Sequence, residues 1–130
     1  MLLDTSGLLI CFDVSSDEHA RAFELFTNSP TLLTHSGVLF EFVPLCRSRR
    51  MDVARATVFL MDLLDDPAVE AVWTDRALYC AALELLEARR DKRYSLCDAV
   101  SFLLMRERGL TEALTTDRHF EQEGFVRLLK

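Results

Sequence analysis

Glycine is scarce in this chain, with four in 130 residues, at positions 7, 37, 109 and 124. None falls in a G-x-G-x-x-G or G-x-x-x-x-G-K pattern, so nucleoside-triphosphate and dinucleotide cofactors are unsupported. The four cysteines, at 11, 46, 80 and 97, make no C-x-x-C pair, which argues against a thiolate zinc site. All four sit among apolar neighbours and read as reduced core thiols. No apolar run approaches the roughly 20 residues needed to cross a bilayer. No basic region followed by a long apolar stretch opens the chain, so no signal peptide is expected, and a cytoplasmic location fits best. A net charge of −6 with a pI near 5.0 is the reverse of what nucleic-acid binding usually requires.

Half of the residues are hydrophobic, enough for one folded domain spanning 1–130. Met1–Asp4 reads as a short buried strand, followed by the turn formers Thr5-Ser6-Gly7 and a short apolar stretch. Ser15 and Glu18 have capping-box spacing ahead of a helix that runs to about Asn28. Thr31–Thr34 is a second strand. Ser36 caps a helix carrying Val38, Leu39, Phe42 and Val43, in which Pro44 predicts a kink. A further helix over Met51–Leu64 is apolar around most of its circumference, as expected of a surface buried against another chain.

Val69–Trp73 is the third strand, and Asp75 opens a helix to about Arg90. Asp98 opens the next helix, which Gly109 ends. Glu112–Thr115, a short helix over Asp117–Glu123 closed by Gly124, and a strand over Phe125–Leu129 complete the order. Strands alternating with helices imply an α/β fold in three layers, with a five-stranded parallel sheet covered on both faces.

Four acids stand out in that order. Asp4 ends the first strand and Asp117 follows the fourth, so both belong at the C-terminal edge of a parallel sheet, where α/β proteins bind ligands. Asp98 lies at the start of a strongly apolar helix. Glu41, three residues after Val38 and four before Leu45, falls on the apolar face of its helix, where an unpaired carboxylate needs a cation or a partner. Singly, Asp4, Asp98 and Asp117 each have the simpler reading of a turn or helix-cap residue, and Ser95-x-x-Asp98 has capping-box spacing. Together the four make a carboxylate cluster that needs hard cations such as Mg²⁺ or Mn²⁺, a chemistry suited to phosphodiesters.

Ser6 and Thr115 are hydroxyls beside those acids. His19, His35 and His119 share no metal-ligand spacing and read as surface or capping residues, His119 being near Asp117. The two basic clusters, Arg47/Arg49/Arg50 and Arg89/Arg90/Lys92/Arg93, read as solvated helix ends.

Leu2-Leu3-Asp4-Thr5-Ser6, Glu41, Ser95-Leu96-Cys97-Asp98, Leu114-Thr115-Thr116-Asp117-Arg118-His119-Phe120 and the later Gly124-Phe125 resemble the PIN-domain ribonucleases, more narrowly the VapC-type toxins. The resemblance covers essentially the whole chain, with all four acids in family order. It implies a five-stranded α/β/α fold, Mg²⁺- or Mn²⁺-dependent cleavage of RNA to a 5′-phosphate and a 3′-hydroxyl, a cognate antitoxin and a homodimer. Asp4, Glu41, Asp98 and Asp117 carry over as the metal-binding and catalytic set, with Ser6 and Thr115 in support.

Two other readings compete. A phosphatase of the haloacid-dehalogenase type would want a second aspartate where this chain has Ser6. A catalytically silent module that only binds RNA or protein would have little use for a costly acidic cluster.

Overall fold

The computed structural model describes residues 1–130. Its five strands are β1 (Leu2–Leu3), β2 (Leu32–His35), β3 (Val69–Val72), β4 (Glu112–Leu114) and β5 (Val126–Arg127). They form one sheet in the order β3-β2-β1-β4-β5, with every neighbouring pair parallel. The helices are α1 (Thr5–Phe12), α2 (His19–Asn28), α3 (Ser36–Ser48), α4 (Val53–Asp65), α5 (Arg76–Ala88), α6 (Leu96–Arg108) and α7 (His119–Gln122).

Alternation along β1 generates the layers. Leu2 and Leu3 are both fully buried but belong to different cores, because successive side chains of a strand point to opposite faces. Leu3 packs with Leu8, Ala22, Val38, Phe42, Ala56 and Leu63, mostly from α1 to α4. Leu2 packs with Ala82, Leu85, Phe102, Met105 and Phe120 from α5 to α7. The expected three-layer α/β fold is therefore present, and all five strands lie within about two residues of their expected places.

Several local expectations change. Thr5-Ser6-Gly7 is the first turn of α1, not a free turn. Glycine is tolerated there because α1 presses against β4: a Cβ on Gly7 would run into the Leu114 carbonyl and its side chain. Ser15 does not cap α2; its hydroxyl and amide both donate to Asp13 Oδ1, and α2 begins at His19. Ser36 is the first residue of α3, and the cap is His35, whose Nδ1 accepts from the Gly37 amide at 3.1 Å.

His35 is also fully buried, so it is no surface residue. Its Nε2 lies 2.8 Å from Ser101 Oγ, and with Nδ1 accepting, the Nε2–H donates. That bond ties the start of α3 to α6. Three cysteines are buried as expected, but Cys80 is exposed on α5. No helix is long and apolar enough to cross a membrane.

Gly7→Ala is expected to be among the most damaging small substitutions in this chain. The clash involves backbone that cannot move without separating α1 from the sheet, so the loss should reach about 3 kcal/mol or more. Thermal melts should show it, whereas Gly109→Ala, in a left-handed cap with open space around it, should cost only about 1 kcal/mol.

Candidate active site

The strand order reverses between β1 and β4, because the chain moves outward from β1 through β2 to β3 and then returns to the other side of β1. Such a reversal opens a crevice beyond the C-terminal strand ends. Asp4 leaves β1 there, and Thr115, Thr116 and Asp117 leave β4 beside it. The crevice widens into a cleft of about 680 Å³ lined by Asp4, Ser6, Glu41, Asp98, Asp117 and His119, among others.

Asp4 is the most confined of the acids, only 7% exposed. Its Oδ2 accepts from Thr115 Oγ1 at 2.7 Å and, more weakly, from Ser6 Oγ at 3.4 Å. Thr115 spends its proton on Asp4, so the single Ser6 proton is shared between Asp4 Oδ2 and Thr115 Oγ1, the latter 3.1 Å away. The same oxygens accept backbone amides from the β4 exit: Thr116 N–H to Ser6 Oγ and Asp117 N–H to Thr115 Oγ1, each 3.0 Å. Ser6 and Thr115 thus bind the two strand ends to each other as well as bracing Asp4.

Asp98 is brought in by α6. The capping box is real, with Ser95 Oγ accepting the Asp98 amide and Asp98 Oδ2 accepting the Ser95 amide, both at 3.0 Å. His119 Nδ1 approaches the same Oδ2 at 3.1 Å and Asp117 Oδ2 at 3.3 Å. Facing two carboxylate oxygens, Nδ1 carries the proton. The His119 amide also donates to Asp117 Oδ1 at 2.9 Å. Asp98 Oδ1 accepts no protein hydrogen bond and remains available to the cleft.

Glu41 differs from expectation. Val38, Phe42 and Cys46 form the buried stripe of α3, whereas Glu41 is exposed at the mouth of the cleft. It therefore needs no cation to be tolerated. Its Oε2 accepts from Thr5 Oγ1 at 3.0 Å, which anchors it to the residue after Asp4. Sequence reasoning missed Thr5, taken as a turn former, and it placed His119 near Asp117 without foreseeing its contact with Asp98. The signal for His119 was present: it follows Asp117 by two residues, across the short turn that starts α7.

Electrostatics follow from confinement. Burial pushes the Asp4 carboxyl from an ordinary 3.8 up to about 6, against the pull of the Thr115 hydroxyl and the Thr5 amide. Asp98 is raised as well, again chiefly by burial, with the Ser95 amide opposing. Repulsion among Asp4, Asp98 and Asp117 adds to both shifts but does not lead. A divalent cation fits this donor set. Carboxylate oxygens of Asp98 and Asp117 lie within 4.8 Å of each other, braced by the His119 Nδ1–H, and Asp4 is a confined carboxylate with no cationic partner.

The PIN domain family signature matches residues 1–125. The chain belongs to the PIN-domain family. It is 31% identical, over 98% of its length and 97% of the relative's, to the 23S rRNA-specific endonuclease VapC20 of Mycobacterium tuberculosis, in both strain CDC 1551 and strain H37Rv. The crystal structure of M. tuberculosis VapC20, described as a sarcin-ricin loop cleaving toxin, superposes with a TM-score of 0.87 at 27% identity, covering 99% of this chain and 98% of that one. Within the family, this PIN domain is of the VapC type.

Titration offers a check on the site without substrate. Folding holds the Asp4 proton more tightly than the unfolded chain does, so this group favours the folded state fully below about 3.8. That contribution is lost as pH rises through about 6. Buried His35, lowered to about 4, acts with the opposite sign over much of the same range, so the comparison must be between variants. In metal-free buffer, the melting temperature of Asp4→Asn relative to wild type should rise between pH 4 and pH 6.5 and then level off. Mn²⁺ at a hundred times its dissociation constant should stabilise wild type by about 2.7 kcal/mol and leave Asp4→Asn nearly unmoved. A pH-independent gap with equal Mn²⁺ responses would mean that Asp4 is only a strand-end cap.

Proposed function

We propose that the cleft cuts RNA by hydrolysis and that the protein is the toxin of a VapC-type toxin–antitoxin pair, with residues 1–130 acting as one catalytic domain. The observation that carries this reading is the convergence of Asp4, Asp98 and Asp117 on the β1/β4 crevice, with Asp4 and Asp98 desolvated. Asp4 and Asp98 are read as direct metal ligands. Asp117 and Glu41 would ligate through water or orient the nucleophile. Mg²⁺ or Mn²⁺ would supply a water of lowered pKa and neutralise charge on the phosphodiester.

The chain's own residues prepare that chemistry. Thr115 and Ser6 hold Asp4 Oδ2 in one direction. His119 Nδ1–H spans Asp98 and Asp117 and keeps those two carboxylates from separating. The Ser95 amide fixes Asp98 by its inner oxygen, so that Oδ1 points to the cleft. The relative named for 23S rRNA supports a structured ribosomal RNA as the substrate, and a sarcin-ricin stem-loop is the first oligonucleotide to test. A cytoplasmic location goes with this reading, supported by four unbridged cysteines.

Cleavage of that RNA should require Mg²⁺ or Mn²⁺ and stop in EDTA, and Asp4→Asn and Asp98→Asn should each lower the rate by about a hundredfold or more. Cleavage indifferent to chelator, or surviving both substitutions, would refute the assignment.

A partner is supported by uncovered apolar surface. On α4, Val58, Met61 and Leu64 are 57%, 61% and 45% exposed, and Phe23 on α2 is 53% exposed. Val58 and Phe23, with Phe12 and Phe59, line a groove of about 570 Å³ between the two helices. A groove of that kind suits an amphipathic antitoxin helix, and neighbouring apolar surface would serve a homodimer. Phe23→Glu combined with Val58→Glu should abolish co-purification with the antitoxin while leaving the melting temperature within a few degrees of wild type. An unchanged complex would place the partner elsewhere.

A further inference from the structure

We propose that Arg49 and Arg93 form a two-point clamp for the RNA phosphates on either side of the one being cut. The proposal deepens the nuclease reading and rests on it. The cleft wall carries four acids, so a polyanion entering it is repelled everywhere except where a fixed cation stands. Arg49 and Arg93 are the only arginines or lysines lining that cleft. They arrive from different elements: Arg49 closes α3, on the same helical stripe as Glu41 and Leu45, and Arg93 precedes Ser95 and Asp98 on the other.

Both are exposed, and neither forms an ion pair. The contrast with their neighbours is informative. In the second basic cluster, Arg89 pairs with Glu123, Arg90 with Glu87 and Lys92 with Asp91, which leaves Arg93 as the free charge. Its position is anchored by the next residue, Tyr94, buried edge-on against Phe102 and His119.

In the first cluster, only Arg49 lines the cleft, and the backbone explains why. The Met51 amide donates to Cys46 O and the Arg50 amide to Arg47 O, which is the Schellman ending of a helix. It requires a left-handed residue at Arg50, observed at φ 56°. That tight turn directs Arg49 toward the cleft and carries Arg50 away from it. Arginine suits the task, since its planar fork donates two hydrogen bonds to a phosphate and its charge does not titrate.

Equilibrium binding tests this apart from catalysis. The ligand is a fluorescein-labelled sarcin-ricin stem-loop RNA, held by Asp98→Asn protein so that it stays intact, with anisotropy followed across a KCl series. Arg49→Gln and Arg93→Gln should each weaken binding about tenfold at low salt. Each should also flatten the slope of log affinity against log [KCl] by about 0.7, as loss of one phosphate contact requires. Arg→Lys at either position should restore the slope.

Arg108→Gln, beside Met1 and Leu32 at the opposite end of the sheet, should change neither quantity. Unaltered affinity and slope in both glutamine variants, or no salt-dependent RNA binding by the parent, would overturn the clamp. Failure of wild type to cleave in Mn²⁺ would instead refute the nuclease reading, and the binding result would stand or fall independently of it.

Discussion

The Thr115 hydroxyl reaches from the end of β4 to the Asp4 carboxylate at the end of β1, and most of the cleft is organised around that 2.7 Å bond. It joins residues far apart in the chain at the point where the strand order reverses. Around it, Ser6 and the amides of Thr116 and Asp117 complete a small buried network in which each hydroxyl both donates and accepts. Networks of this kind are rigid when every member is satisfied. Rigidity matters here because Asp117 enters the cleft only if the β4 exit is held in one conformation. His119 follows from the same constraint, two residues further along.

Burial makes this arrangement costly in the absence of a cation. Asp4 and Asp98 lose hydration, the donors around Asp4 are hydroxyls and an amide, and neither acid meets a guanidinium or ammonium group. That is a poor way to stabilise a fold and a good way to prepare a site for a divalent ion, which supplies the missing charge. It also accounts for an acidic protein acting on a polyanion. A bound cation would offset the four acids of the cleft, while arginines without ion pairs stand at the rim.

Much of this was legible in the sequence, for identifiable reasons. Short apolar runs alternating with helices gave the strand order a parallel reading, and an acid at the end of the first and fourth runs marked the correct sheet edge. What could not be read were properties set by tertiary packing. Gly7 disfavours a helix by local propensity, yet α1 contains it because only glycine fits against Leu114. Glu41 lies one residue from Phe42 on α3, and periodicity alone could not tell the buried stripe from its border. His35 resembled any polar residue at a strand–helix junction, and its complete burial depends on Ser101, 66 residues away.

Asp98 shows why a capping role and a role in the site need not compete. The capping box accounts for its position in the sequence and fixes its backbone, and those same bonds fix its carboxylate. The Ser95 amide and His119 both occupy Oδ2, which determines the rotation of the group and directs Oδ1 outward. A carboxylate attached to a flexible loop would lose conformational entropy on binding an ion; one clamped by a helix start has already lost it. Helix-start chemistry is therefore part of how this fold preorganises the cleft. The same logic extends to Asp4, which is fixed by the strand pairing that places Thr115 beside it. In both cases, the bond that stabilises the local structure also aims the functional oxygen.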